Sequence, residues 1–170
     1  MNRREKILEF LEQAGRPVTG GELARMTGVS RQVIVQDIAI LRAQGREILA
    51  TPQGYVWPQP SGRERQRAVL AVSHAPEQTE EELNALVDFG LKVLDVVVEH
   101  PIYGELRGFL MLESRHDVER FLERIADAGA GLLSTLTGGV HLHTVEYARE
   151  EELNLAREAL AAKGFLLSAD

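Results

Sequence analysis

Thr27-Gly28-Val29-Ser30-Arg31-Gln32-Val33-Ile34-Val35-Gln36-Asp37-Ile38-Ala39-Ile40-Leu41-Arg42 decides how the N-terminal third of this chain is read. Thr27-Gly28-Val29 reads as a tight turn. Ser30 is a residue type that opens a helix by accepting a bond from a first-turn N–H. The helix runs to about Gln44, where Gly45 ends it. Ile34, Ile38 and Leu41 recur at i, i+4 and i+7, which turns them inward. Gln32, Gln36, Ala39 and Ala43 fall on the opposite face.

Upstream, Thr19-Gly20-Gly21-Glu22 has capping-box spacing and opens a short helix to about Met26. Before it, Ile7, Leu8 and Leu11, with Phe10 beside them, mark a helix from Arg3 to Ala14 that Gly15 caps. Downstream, Arg46–Ala50 and Tyr55–Trp57 read as strands joined by the turn Thr51-Pro52-Gln53-Gly54. Helix, short helix, tight turn, long helix and hairpin make a winged helix-turn-helix over residues 1–58. Its third helix enters the major groove of duplex DNA. Arg31, Gln32 and Gln36 are the base-reading candidates, since Arg matches guanine and Gln matches adenine through paired hydrogen bonds. Arg42 and Arg46, with Thr51 and Gln53 in the wing, are placed to hold the DNA backbone.

Pro58-Gln59-Pro60-Ser61-Gly62 is a Pro-bearing polar linker. A second domain follows from residue 63 to 170. It reads as a strand (Arg67–Ser73), a helix opened by a second capping box (Thr79-Glu80-Glu81-Glu82), and strands at Val93–Glu99 and Arg107–Leu112. A helix capped by Ser114, a strand (Val140–Val145) and a helix (Glu150–Ala162) complete it, with Phe165–Leu167 as an added edge strand. In the first helix Leu83, Leu86 and Val87 face inward, and in the second Val118, Phe121, Leu122 and Ile125. The order β-α-β-β-α-β-α is an α+β sandwich with an antiparallel sheet.

Composition narrows the function classes. The hydrophobic fraction is 44% and the charged fraction 26%, which fits a globular protein and not a disordered one. No apolar run is long enough to span a bilayer, and the basic N-terminus has no signal-peptide core behind it, so a cytoplasmic location is expected. With no cysteine, thiol catalysis and thiolate metal sites are excluded. The net charge of −7 is uneven: residues 1–58 carry eight Lys/Arg against six Asp/Glu, the remainder eleven against twenty. The acidic part is not the one that meets phosphates.

His141 and His143 are two apart on a strand, so both point to one face, at a spacing suited to holding a metal. His74 ends the first strand, where functional groups often sit. Glu82 fits a capping role, and Glu80 and Glu81 suit a helix N-terminus. From the residues alone the three glutamates stay equivalent as ligand candidates. His100, in Glu99-His100-Pro101-Ile102-Tyr103-Gly104, belongs to a turn between strands, and His116 to an exposed first helical turn. Ser134-Thr135-Leu136-Thr137-Gly138-Gly139 is small and polar enough to approach a ligand through backbone amides, without the Lys of a phosphate-binding loop.

With these motifs in view, the chain resembles the niacin-responsive transcriptional repressors, which join a winged helix-turn-helix to a "3H" domain named for three histidines. The resemblance rests on Ser30 to Arg42, on His74-Ala75-Pro76-Glu77-Gln78-Thr79-Glu80-Glu81-Glu82-Leu83, on His100-Pro101-Ile102-Tyr103-Gly104 and on Gly139-Val140-His141-Leu142-His143. It covers nearly the whole chain. It implies an HPr-like antiparallel sheet and a divalent metal held by His74, Glu82, His141 and His143. It also implies nicotinic acid as co-repressor, with genes of niacin uptake and NAD synthesis as targets. Three His and one carboxylate suit Zn²⁺, Ni²⁺ or Fe²⁺. Nicotinate is expected to occupy an open position on the ion, with His100, Tyr103 and Arg107 as pocket partners. A homodimer formed mainly through the C-terminal domain is expected, because two-fold operators are read by dimers. Competing readings are a repressor that senses the metal itself and a helix-turn-helix fused to a metal-dependent enzyme. The latter lacks an identifiable general base.

Overall fold

The computed structural model describes residues 1–59 and 64–168. The C-terminal part of the predicted linker, the first residue of the second domain and its last two residues lie outside them. Two compact units result, Met1–Gly62 and Arg63–Asp170.

In the first unit, α1 (Arg3–Ala14), α2 (Gly20–Thr27) and α3 (Arg31–Ala43) precede a two-stranded wing of β1 (Leu49–Thr51) and β2 (Gly54–Val56). Each helix starts on a side-chain cap: Asn2, Thr19 and Ser30 accept from the N–H three residues on. The box at Thr19 and Glu22 is present as predicted; a second at Asn2 and Glu5 was not foreseen. Ile7, Leu11, Val18, Leu23, Ile34, Ile38, Leu41 and Ile48 form the core. The first wing strand begins at Leu49, not Arg46, because the chain first turns back on α3, with the Arg46 N–H donating to the Leu41 carbonyl (3.0 Å). Val18 adds a third rung by exchanging backbone bonds of 2.9 and 2.8 Å with Tyr55.

In the second unit, β3 (Gln66–Ser73), α4 (Thr79–Asp88), β4 (Lys92–His100), β5 (Gly104–Leu112), α5 (Arg115–Ala128), β6 (Val140–Tyr147) and α6 (Glu150–Ala162) follow in order. The sheet is antiparallel, ordered β3-β6-β4-β5. Leu83 and Leu86 of α4, Val118 of α5, and Leu153, Ala156 and Leu160 of α6 share one core with Leu70, Val72, Val93, Leu112 and Val145 of the sheet. Phe121, Leu122 and Ile125 of α5 are only half-buried, so Val118 alone anchors that helix fully. The predicted edge strand reduces to one bridge, Leu166 to Val72, flanked by Ser73 N–H to Phe165 (2.8 Å) and Leu167 N–H to Ala71 (2.9 Å).

Two features place the site. β3 and β6 run in unbroken register from Gln66–Tyr147 to Ser73–Val140. β4 instead bulges against β6: Val93 faces Val145 and Val97 faces Leu142, so three β4 residues span a gap of two. Asp95 sits in that bulge.

Candidate functional site

His74 follows the last residue of β3, and His141 and His143 point inward from the start of β6. Because β3 and β6 are antiparallel, the end of one lies beside the start of the other. Gly139 makes the approach possible. Its φ is +101°, and a Cβ there would run into the His74 carbonyl. Only glycine tolerates both conditions.

Glu82 arrives from the first turn of α4, and here the sequence expectation fails. Thr79 does not cap α4; it is already helical, following a 3₁₀ turn over Pro76–Gln78, and its hydroxyl donates to the Pro76 carbonyl (2.8 Å). Gln78 reaches back instead, accepting from the Ala75 N–H (2.9 Å). That shift frees the Glu82 carboxylate to turn into the protein, where its exposure is 0%.

There it meets all three imidazoles. Oε2 contacts Nε2 of His74 and lies 3.4 Å from Nε2 of His141, while Oε1 lies 2.7 Å from Nε2 of His143. Donor atoms of His74, Glu82 and His141 lie within 4.8 Å of one another, and His143 joins the set through Glu82. Each imidazole is fixed from behind: Nδ1 of His74 bonds the Ala75 carbonyl (2.8 Å), that of His141 the Gly139 carbonyl (2.8 Å), and that of His143 the Asp95 carbonyl (2.7 Å). A carbonyl only accepts, so every Nδ1 carries a proton and donates. In the neutral rings every Nε2 then presents a lone pair to the carboxylate.

Lone pairs facing lone pairs in a buried site require positive charge between them, from protons or from a cation. Protons leave the arrangement incomplete: Glu82 Oε1 and His143 Nε2 are buried and make no hydrogen bond with proper geometry, although 2.7 Å apart. Three imidazole nitrogens oriented by outer carbonyls, with a carboxylate, are a donor set that fits a borderline divalent ion. Burial would raise the Glu82 carboxyl, but the charge of His143 and the close approach of all three imidazoles hold it well below the usual range. Burial likewise opposes charge on His74 and His143, and Glu82 outweighs it, so both imidazoles are raised.

Asp95 is a participant that sequence reading missed. It is 2% exposed, and its carboxylate accepts from the Thr144 N–H (2.8 Å), supplying the bond the bulge removes from the ladder. Its other oxygen pairs with Arg107 (3.4 Å). Arg107 therefore connects to the site through Asp95. His100 and Tyr103 pair with each other at the β4–β5 hairpin, rings 5.1 Å apart. Among the described residues no hydrogen bond or ion pair joins them to the His/Glu set. His116 is exposed, as expected. Ser134 to Thr137 form most of a 3₁₀ turn that leads into Gly139.

On the first unit, Arg31, Gln32, Gln36, Arg42 and Arg46 are all exposed. Thr51 and Gln53 are half-buried, and the Thr51 hydroxyl holds the wing turn by donating to the Gly54 carbonyl (2.8 Å). Asp37, in the same helix, is 2% exposed and paired with Arg3 (2.6 Å) and Arg4 (3.6 Å). Its position three residues after Ile34 was the available signal for burial.

The 3H domain family matches residues 67–169, and an HTH domain family matches residues 3–56. The chain is 45% identical over 168 residues to "Transcription repressor NadR" of Bacillus subtilis strain 168, covering 98% of this chain and 93% of that protein. It is 46% identical over 165 residues to "Probable transcription repressor NiaR" of Thermotoga maritima, covering 97% of this chain and 93% of that one. A helix-turn-helix followed by a 3H domain, at this identity over nearly the full length, makes the chain a member of the NadR/NiaR family of transcription repressors.

Proposed function

We propose that this repressor controls genes of niacin uptake and NAD synthesis, and that nicotinic acid, bound at a metal-containing 3H domain, is its co-repressor. The observation that carries the metal reading is the convergence of three Nε2 atoms on Glu82 with every Nδ1 committed to a backbone carbonyl. His74, Glu82, His141 and His143 are the ligands in this reading. A bound Zn²⁺, Ni²⁺ or Fe²⁺ would supply a Lewis-acidic centre able to accept a carboxylate or ring-nitrogen donor. Nicotinic acid carries both groups. Arg107, a half-exposed cation beyond Asp95, His100 and Tyr103 remain the proposed pocket partners.

The working form is a homodimer joined through the C-terminal units, because a two-fold operator is read by two helices one turn or a multiple apart. Arg31, Gln32 and Gln36 read bases, and Arg42, Arg46, Thr51 and Gln53 hold the backbone. Nicotinic acid acts by favouring the DNA-competent arrangement, and it shifts that equilibrium only by its differential affinity for the two states. Among the described residues no helix is long and apolar enough to cross a membrane, and the proposed site of action is the cytoplasm.

The test is operator binding by metal-loaded protein at fixed salt, titrated with nicotinic acid and separately with nicotinamide. Nicotinic acid alone is expected to tighten binding. Glu82→Gln is expected to weaken metal binding by more than the roughly 10- to 100-fold that loss of an outer partner costs. It should abolish the response with it. A response to metal with none to nicotinic acid would make the protein a metal-sensing repressor. Full metal content and full response in Glu82→Gln would remove the site altogether.

A further inference from the structure

The inward side of α3 is filled by Ile34, Asp37, Ile38 and Leu41. Val35 is left outside, 45% exposed. A β-branched side chain on a helix surface loses rotamer freedom and is a poorer helix former than Ala, Lys or Gln. Val35 therefore serves neither the core nor the helix. It lies three residues after Gln32 and four before Ala39, both exposed, and next to Gln36. The one acidic residue of α3, Asp37, is turned inward and neutralised by Arg3 and Arg4. The outward side thus carries no carboxylate to repel phosphates, and Arg31 and Arg42 stand at its ends.

Chemistry identifies what such a side reads. In the major groove the 5-methyl of thymine is the apolar group a base pair presents, and a Gln amide matches the N6 and N7 of adenine. An apolar side chain beside two amides is matched to A·T pairs on all three counts. Resting on the DNA-binding reading above, we infer that Val35 is a specificity-determining residue that packs on a thymine 5-methyl group. Together with Gln32 and Gln36 it selects A·T pairs at the centre of each half-site.

The experiment starts with the full chain, loaded with divalent metal and nicotinic acid, selecting from randomised DNA duplexes. Each thymine of the enriched half-site is then replaced by deoxyuridine, which removes the methyl and keeps every hydrogen-bonding group. A·T pairs are expected at the half-site centre, and one deoxyuridine should weaken wild-type binding about fourfold, as loss of one buried methyl implies. Val35→Ala should lose a similar factor on the thymine duplex and become indifferent to that deoxyuridine, while Val35→Thr, which keeps a γ-methyl, should stay sensitive. Wild-type binding that ignores every deoxyuridine, or equal sensitivity in Val35→Ala, would overturn the inference while leaving DNA binding intact. Enrichment of G·C at the half-site centre would do the same. If no sequence is enriched, the DNA-binding reading fails and takes this inference with it.

Discussion

The carboxylate of Glu82 and the imidazoles of His74 and His143 shift one another in opposite directions, and this sets a pH signature for the C-terminal unit. The histidines are raised above 6.5, so in metal-free protein their contribution is complete below that value and fades as pH climbs through the raised ones. Glu82 is lowered below 4.5, so its contribution is present above that value and is lost only in strong acid. The metal-free cluster is therefore most stabilising between 4.5 and 6.5, and weakens above. At the proposed metal site, binding would displace those protons and strengthen with pH. The gap in melting temperature between metal-loaded and metal-free protein should widen from about pH 6 to about pH 8. A gap that stays constant or narrows would count against the site. His141 and His143 were legible as a pair from strand alternation alone. Glu82 was not separable from Glu80 and Glu81 by the residues, because all three suit the first turn of a helix. What singles it out is a rotation set by Pro76 and Gln78, a three-dimensional fact. Asp95 was missed for a related reason: a bulge has no period, and a lone acid in a β-branched run gives no sign of whether it faces water or bonds a broken ladder.

Most elements were legible at the level of helices and strands, because each carries either a periodic apolar face or a capping residue. Boundaries slipped where backbone bonds outside the regular ladders decide them, as at Arg46 and at Phe165–Leu167. Gly139 is the junction at which the fold most directly builds the site, since it joins the 3₁₀ turn to β6 with the His74 backbone against it. Gly139→Ala would force either the left-handed φ or the contact to give way. A destabilisation greater than about 1 kcal/mol is expected. Weaker metal binding should accompany it, as β3 and β6 separate at their histidine-bearing ends. Calorimetry and metal titration check both. A variant as stable as wild type with unchanged affinity would mean that the junction is looser than its contacts indicate.

Across the whole molecule, two separate apolar cores and an uneven charge describe a division of labour, a weakly basic N-terminal part and a strongly acidic C-terminal one. Cores that share no residues need not melt together. Chelation of the proposed metal should lower the unfolding transition of the C-terminal unit in a calorimetric scan and leave that of the N-terminal unit in place. A single transition that moves as one would overturn that expectation. Charge asymmetry and the two-domain order were open to sequence reading, since both depend on composition along the chain. β3 begins at Gln66, just past the interdomain connection, and ends beside His74. Its eight residues span roughly 26 Å at about 3.3 Å each, and every one is laddered to β6. A one-residue slip would turn Leu70 and Val72 out of the core and carry His74 away from Glu82. The strand thus behaves as an inextensible tie rod that fixes where His74 stands relative to the two histidines of β6.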